Sequence, residues 1–220
     1  MGLFNFIKSV VESIKSAISK HVDEAETKTN CINVKNVSIV KPFDFVVAEI
    51  VTSGEIKKEI TLKKDAHFQL DIERFANMNN KKKWRKAKMD VFFEAGFKTN
   101  GASAPEFFKL QLPAYIDMDD DNAQKYNAAA FIHDGLYACK GVIEEEGIPN
   151  EQNDKNRYTL TRMECDNILS CVWVESKFVD PVTAKIAEKA VNVAAGGPEH
   201  WDNDDFRCKE HFSITIKYLE

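Results

Sequence analysis

The sequence predicts an α+β fold, with antiparallel strands in a β-rich first half, three helices in the second half and a strand at the C-terminus. Over residues 32–72, β-branched and aromatic side chains alternate with polar ones, punctuated by Pro42 and Gly54. After Asn122 the texture becomes alanine-rich, with apolar residues at three- and four-residue steps. Over residues 211–218 alternation returns, with Phe212, Ile214, Ile216 and Tyr218 set against Ser213, Thr215 and Lys217. At 220 residues the chain is long enough to bury a core without disulfides. Its net charge of -5 argues against a dedicated nucleic-acid binder.

Taken in order, residues 1–22 read as an amphipathic helix. Leu3, Phe4, Phe6, Ile7, Val10, Val11, Ile14 and Ile18 recur at helical spacing between lysines and serines. Such a stripe docks on protein or lies at a lipid interface. Residues 23–30, polar and aperiodic, read as a linker, and residues 31–220 as a single α+β domain. Four or so short strands fill 32–72. A basic run follows, Lys81, Lys82, Lys83, Arg85, Lys86 and Lys88 around Trp84. It reads as a solvated hairpin or loop, with contact to phosphates of lipid or nucleic acid as the functional alternative. Helices are expected over 122–140, about 160–176 and 181–195, the last opened by Pro181 and closed by Gly196-Gly197-Pro198. No apolar run approaches the roughly 18 residues of a membrane span. A secretory leader is not expected, and five cysteines without a C-x-x-C pair suit reduced thiols in a cytoplasm.

Three stretches carry possible chemistry: the loop Thr99-Asn100-Gly101-Ala102-Ser103-Ala104-Pro105, then His133-Asp134-Gly135-Leu136-Tyr137, then Arg162-Met163-Glu164-Cys165-Asp166. On a helix His133 and Tyr137 lie one above the other, and Asp134, about 100° around, sees the same cleft from its side. Arg162 and Asp166 are likewise one turn apart, so two helices can face each other across a His/Asp/Tyr/Arg/Asp cluster. Gly135 costs a helix about 1 kcal/mol relative to Ala, which suggests that another backbone approaches closely. In the loop, Gly101 permits a tight turn, and Asn100, Ser103 and the backbone amides offer an anion site. The non-catalytic reading of the cluster is a buried polar network in which Arg162 pairs with Asp134 or Asp166. The acidic run over 117–121 has the D-x-D-x-D spacing of half a calcium loop, but Asn122 stands where Gly is needed, so it reads as a solvated loop. Glu164 and Glu188 are expected on helix exteriors, and His21, His67, His200 and His211 form no metal spacing.

These stretches, in this order, resemble a family of bacteriophage and prophage proteins known only as a domain of unknown function. The family shares a T-[DN]-x-A-S-x-P loop, an H-D-x-x-Y helix and an R-x-x-x-D helix. The match covers about residues 91–197. Asn100 stands where many members carry Asp, and the acidic insertion over 139–155 is longer than usual. The resemblance implies a phage protein made in the host cytoplasm and then carried in the virion or its tail.

The His-Asp-x-x-Tyr helix followed by a Cys-Asp helix is also similar to secreted and viral-capsid phospholipases A2. By that resemblance His133 is the general base, Asp134 the calcium ligand, Asp166 the group that orients the base and Tyr137 its hydrogen-bond partner. The glycine-rich calcium loop and disulfide frame of those enzymes have no counterpart here. Together the resemblances imply a virion- or tail-associated accessory protein with a calcium-dependent hydrolytic site, peripheral to a membrane reached through residues 2–22. The alternative is a non-catalytic structural or adaptor protein whose N-terminal helix docks on another phage structural protein.

Overall fold

The computed structural model describes residues 32–52, 55–78, 81–101, 112–117, 120–146, 157–193 and 211–219. The helix expected over 1–22, its linker and Ser103 lie outside the described residues. In chain order the elements are β1 (Ile32–Lys41), β2 (Phe45–Thr52), β3 (Glu55–Leu62), β4 (Ala66–Met78), β5 (Lys81–Phe93), β6 (Lys98–Thr99), α1 (Asp121–Ala138), β7 (Val142–Glu146), β8 (Arg157–Thr159), α2 (Arg162–Glu175), α3 (Pro181–Val193) and β9 (Phe212–Tyr218). This is the α+β arrangement the patterning predicts.

A six-stranded sheet has the order β1-β4-β5-β9-β7-β8, and a smaller one the order β2-β3-β6. Pairing is antiparallel except between β7 and β9, which run parallel. The mixed edge was not legible because β7 and β8 are short, and β7 carries Glu144-Glu145-Glu146 where alternation would be read. The basic run is one arm of a long hairpin, with β4 and β5 in unbroken register from Ala66↔Phe93 to Met78↔Lys81. One face of that hairpin buries Phe68, Leu70, Ile72, Met89 and Val91. The opposite face stays wet, as a half-covered antiparallel sheet should. Helix α2 packs on α1, α3 and β1.

Phenylalanines join the layers. Phe43 lies 4.5 Å from both Phe68 and Phe131 by ring centroid, and Phe93 lies 4.9 Å from Phe97 and 5.1 Å from Phe212. Tilted and edge-on pairs at these separations are worth about 0.5–1.5 kcal/mol each beyond their buried area. Helix α1 is buried along most of its length among these elements, with Ala123, Ala128, Ala129, Phe131 and Ile132 wholly covered. It is capped by Asp120, whose Oδ1 accepts from the amides of Asn122 and Ala123 at 2.9 and 3.0 Å. The acidic run therefore includes a helix cap. Asp180 caps α3 in the same way, ahead of Pro181. Among the described residues no helix is long and apolar enough to cross a membrane.

Candidate functional site

The site is assembled where α1 and α2 face each other. His133 and Tyr137 stand one turn apart on α1, their rings 4.2 Å apart. Both reach across to the same atom of α2: His133 Nε2 lies 2.8 Å from Asp166 Oδ1, and the Tyr137 hydroxyl donates to that oxygen at 2.6 Å. Asp166 is 0% exposed. An ionised carboxylate only accepts, so the proton of a neutral His133 sits on Nε2 and leaves Nδ1 as the basic nitrogen. That nitrogen faces Asp134 Oδ1 at 3.7 Å, beyond hydrogen-bonding distance. The side chain of His133 keeps 11% of its surface exposed. The second oxygen of Asp166, Oδ2, is buried without a hydrogen-bond partner.

Asp134 is held by the loop. The Thr99 hydroxyl donates to Asp134 Oδ2, and the amide of Gly101 donates to Thr99 Oγ1 at 2.9 Å. The described part of the loop thus turns inward to brace Asp134, and the Gly101 amide is directed at Thr99. Asn100 is exposed. Gly101 has φ +73°, and an added Cβ would collide with the Ala114 carbonyl. Gly101→Ala should therefore destabilise the chain by at least about 1–2 kcal/mol, read as a fall in Tm, because both the left-handed backbone and the space exclude a side chain.

The phenylalanine cluster fixes the height of His133. Two residues before it, Phe131 enters the core; two residues after it, Gly135 lies against the Phe212 ring, where a Cβ would overlap ring carbons. The close approach expected at Gly135 is real, but it comes from a side chain rather than a backbone. Glu164, expected outside, is buried: its Oε2 accepts from the Thr161 amide at 2.8 Å in a capping box, and its Oε1 lies 3.4 Å from Nε and Nη2 of the equally buried Arg74. Glu188 is also buried, bonded to Ser170 and Lys185. Glu164 sits on a helix packed against α1, α3 and β1, and Glu188 on the face of α3 turned to Ser170 of α2, which corrects both glutamates. Arg74 was missed because one arginine in a strand carries no pattern; Glu164 was signalled by T-x-x-E at 161–164.

Burial acts first on His133 and disfavours its charged form, but the carboxylates of Asp134 and Asp166 outweigh it and hold its pKa above the ordinary histidine value. Burial pushes the Tyr137 hydroxyl up, with the negative Asp166 adding to it, so it remains a donor. Arg162, half-buried on the same helix as Asp166, acts on that hydroxyl through its charge.

Calcium needs six to eight oxygen ligands. Among the described residues, no group of three or more His, Cys, Asp or Glu is arranged to hold a metal. Asp134 brings one carboxylate, whose Oδ2 accepts the Thr99 hydroxyl. Of the remaining histidines, His67 pairs with Asp90 at 2.8 Å and His211 lies 3.7 Å from Glu94; His21 and His200 lie outside the described residues. Cys139, Cys165 and Cys171 are free thiols.

Fold and site define an α+β protein with a carboxylate-oriented histidine between two packed helices. No family model, curated protein or solved structure matches the chain.

Proposed function

We propose that this chain is a phospholipase-like ester hydrolase of a phage particle, with His133 as general base. The observation that carries this reading is the shared use of Asp166 Oδ1 by His133 Nε2 and Tyr137 Oη. It fixes ring orientation and tautomer and leaves Nδ1 to act. Nδ1 takes a proton from water while the hydroxide oxygen bonds to the ester carbonyl carbon. Collapse of the tetrahedral adduct breaks the ester C–O bond, and the leaving alkoxide takes the proton back from Nδ1. Asp166 and Tyr137 act through His133 as positioning residues. Thr99 holds Asp134 beside the base.

A structural network is favoured less because Asp166 keeps Oδ2 buried without a donor. An unmatched buried acceptor costs about 1–3 kcal/mol, more when charged, and a network selected only for stability would avoid it. The phage setting rests on the three ordered motifs, and calcium remains part of the proposal for Asp134, to be settled by a chelator.

The pH dependence tests the base. His133 must be neutral to act, and its raised pKa moves the acid limb of activity above the ordinary value of about 6.5. Stability runs the other way. A pKa raised by folding stabilises fully below about pH 6.5, and that contribution is lost as pH rises through the folded value. The rate of lysophospholipid formation should therefore climb over a pH range in which the His133 contribution to Tm declines. A rate that is flat across that range, in a folded protein, would remove His133 as the base.

A further inference from the structure

We propose that the far end of the β4–β5 hairpin is a docking arm for an anionic phospholipid surface. The sequence of β5 opens with Lys81, Lys82 and Lys83 and continues through Arg85, Lys86 and Lys88, six cations and no anions within eight residues of a chain whose net charge is -5. Phe75 and Trp84 are register partners across the hairpin, 5.7 Å apart, and remain 38% and 46% exposed. Two large aromatic side chains left side by side in water need a purpose that an isolated exposed residue does not. Nearer the body of the sheet the cations are matched, Lys35 with Glu73 and Lys88 with Asp71. Beside the aromatic pair one is not: Lys86, exposed on the same face two residues from Trp84, makes no ion pair among the described residues.

An exposed aromatic pair beside an unmatched lysine has the chemistry of a surface that sits at lipid headgroup level, with ring bodies in the acyl boundary and the amine on phosphate. The root of the arm is tied to the hydrolytic site. Arg74, adjacent to Phe75, is bonded to Glu164 on α2, half a turn from Asp166. The inference rests on the phospholipase-like reading for its substrate class, and its test is built to fail separately. A nucleic acid would meet the same cations, but the acidic balance of the chain and the adjoining aromatic pair favour lipid.

The test uses the full chain carrying His133→Gln, so that lipid is bound without being hydrolysed. Co-sedimentation is measured with vesicles of phosphatidylcholine alone and of phosphatidylcholine mixed with phosphatidylglycerol. Binding to the mixed vesicles is expected, falling about tenfold or more in Lys86→Glu, since each cation near an anionic surface adds about 1 kcal/mol. Trp84→Ser should weaken it severalfold, with Phe75→Ser as the second aromatic variant in case one folds poorly. Equal binding to both vesicle types, or binding unchanged by Lys86→Glu and both aromatic variants, overturns the arm, whatever the outcome for hydrolysis. Displacement from the vesicles by a single-stranded oligonucleotide bound more tightly than lipid also overturns it.

Discussion

Replacing His133 by Gln is expected to lower ester hydrolysis by roughly 10²- to 10⁴-fold, the range that a positioned general base supplies. The glutamine amide retains a donor for Asp166 Oδ1, so the buried carboxylate is not abandoned, and Tyr137 still donates to the same oxygen. What disappears is the basic nitrogen opposite Asp134. The loss should fall on kcat rather than KM, because the proposed base acts on water and does not grip the substrate. Far-UV circular dichroism and Tm distinguish this from misfolding. A variant that retains full turnover would place the chemistry elsewhere.

The largest stability effect is expected at Arg74. It is 1% exposed, and its guanidinium meets Glu164 on α2 and the Tyr218 hydroxyl on β9 at 3.2 Å, so one side chain ties β4, β9 and α2 together. Removing one member of a buried ion pair leaves the other charge without compensation, at a cost of about 3–5 kcal/mol. Arg74→Met should therefore lower Tm by roughly 10 °C in a chain of this size. Adding Glu164→Gln should recover part of the loss, since the uncompensated charge goes while the side-chain carbonyl can still accept the Thr161 amide. If Arg74→Met melts like wild type in thermal denaturation, the buried pair contributes nothing to the fold.

Much of the fold was legible because its signals are periodic. Alternation over 32–72 corresponds to β1 through β4, and proline, glycine and alanine patterning located α1, α2 and α3 to within a few residues. The elements that escaped, β6, β7 and β8, have two, five and three residues, too few for a period to declare itself, and the parallel pairing of β7 with β9 depends on the whole sheet. At the site, helical spacing brought His133, Asp134 and Tyr137 together, and one turn of α2 carried Asp166 toward them. The role of Thr99 was not legible, because a loop hydroxyl reaches Asp134 only through tertiary packing. Gly135 announced a close approach but could not say that a phenylalanine ring made it. Glu164 looked solvent-facing because its burial depends on an arginine ninety residues away in sequence.

The most direct test is release of fatty acid and lysophospholipid from phosphatidylglycerol-containing vesicles, comparing wild type with His133→Gln, each with added calcium and with chelator. The proposed mechanism predicts equal amounts of both products from the wild type and their loss in the variant. Loss on chelation as well would show the calcium requirement proposed for this site. No release by folded wild-type protein in either condition would contradict a hydrolytic site and leave the His133–Asp166–Tyr137 cluster as the lock of a structural protein.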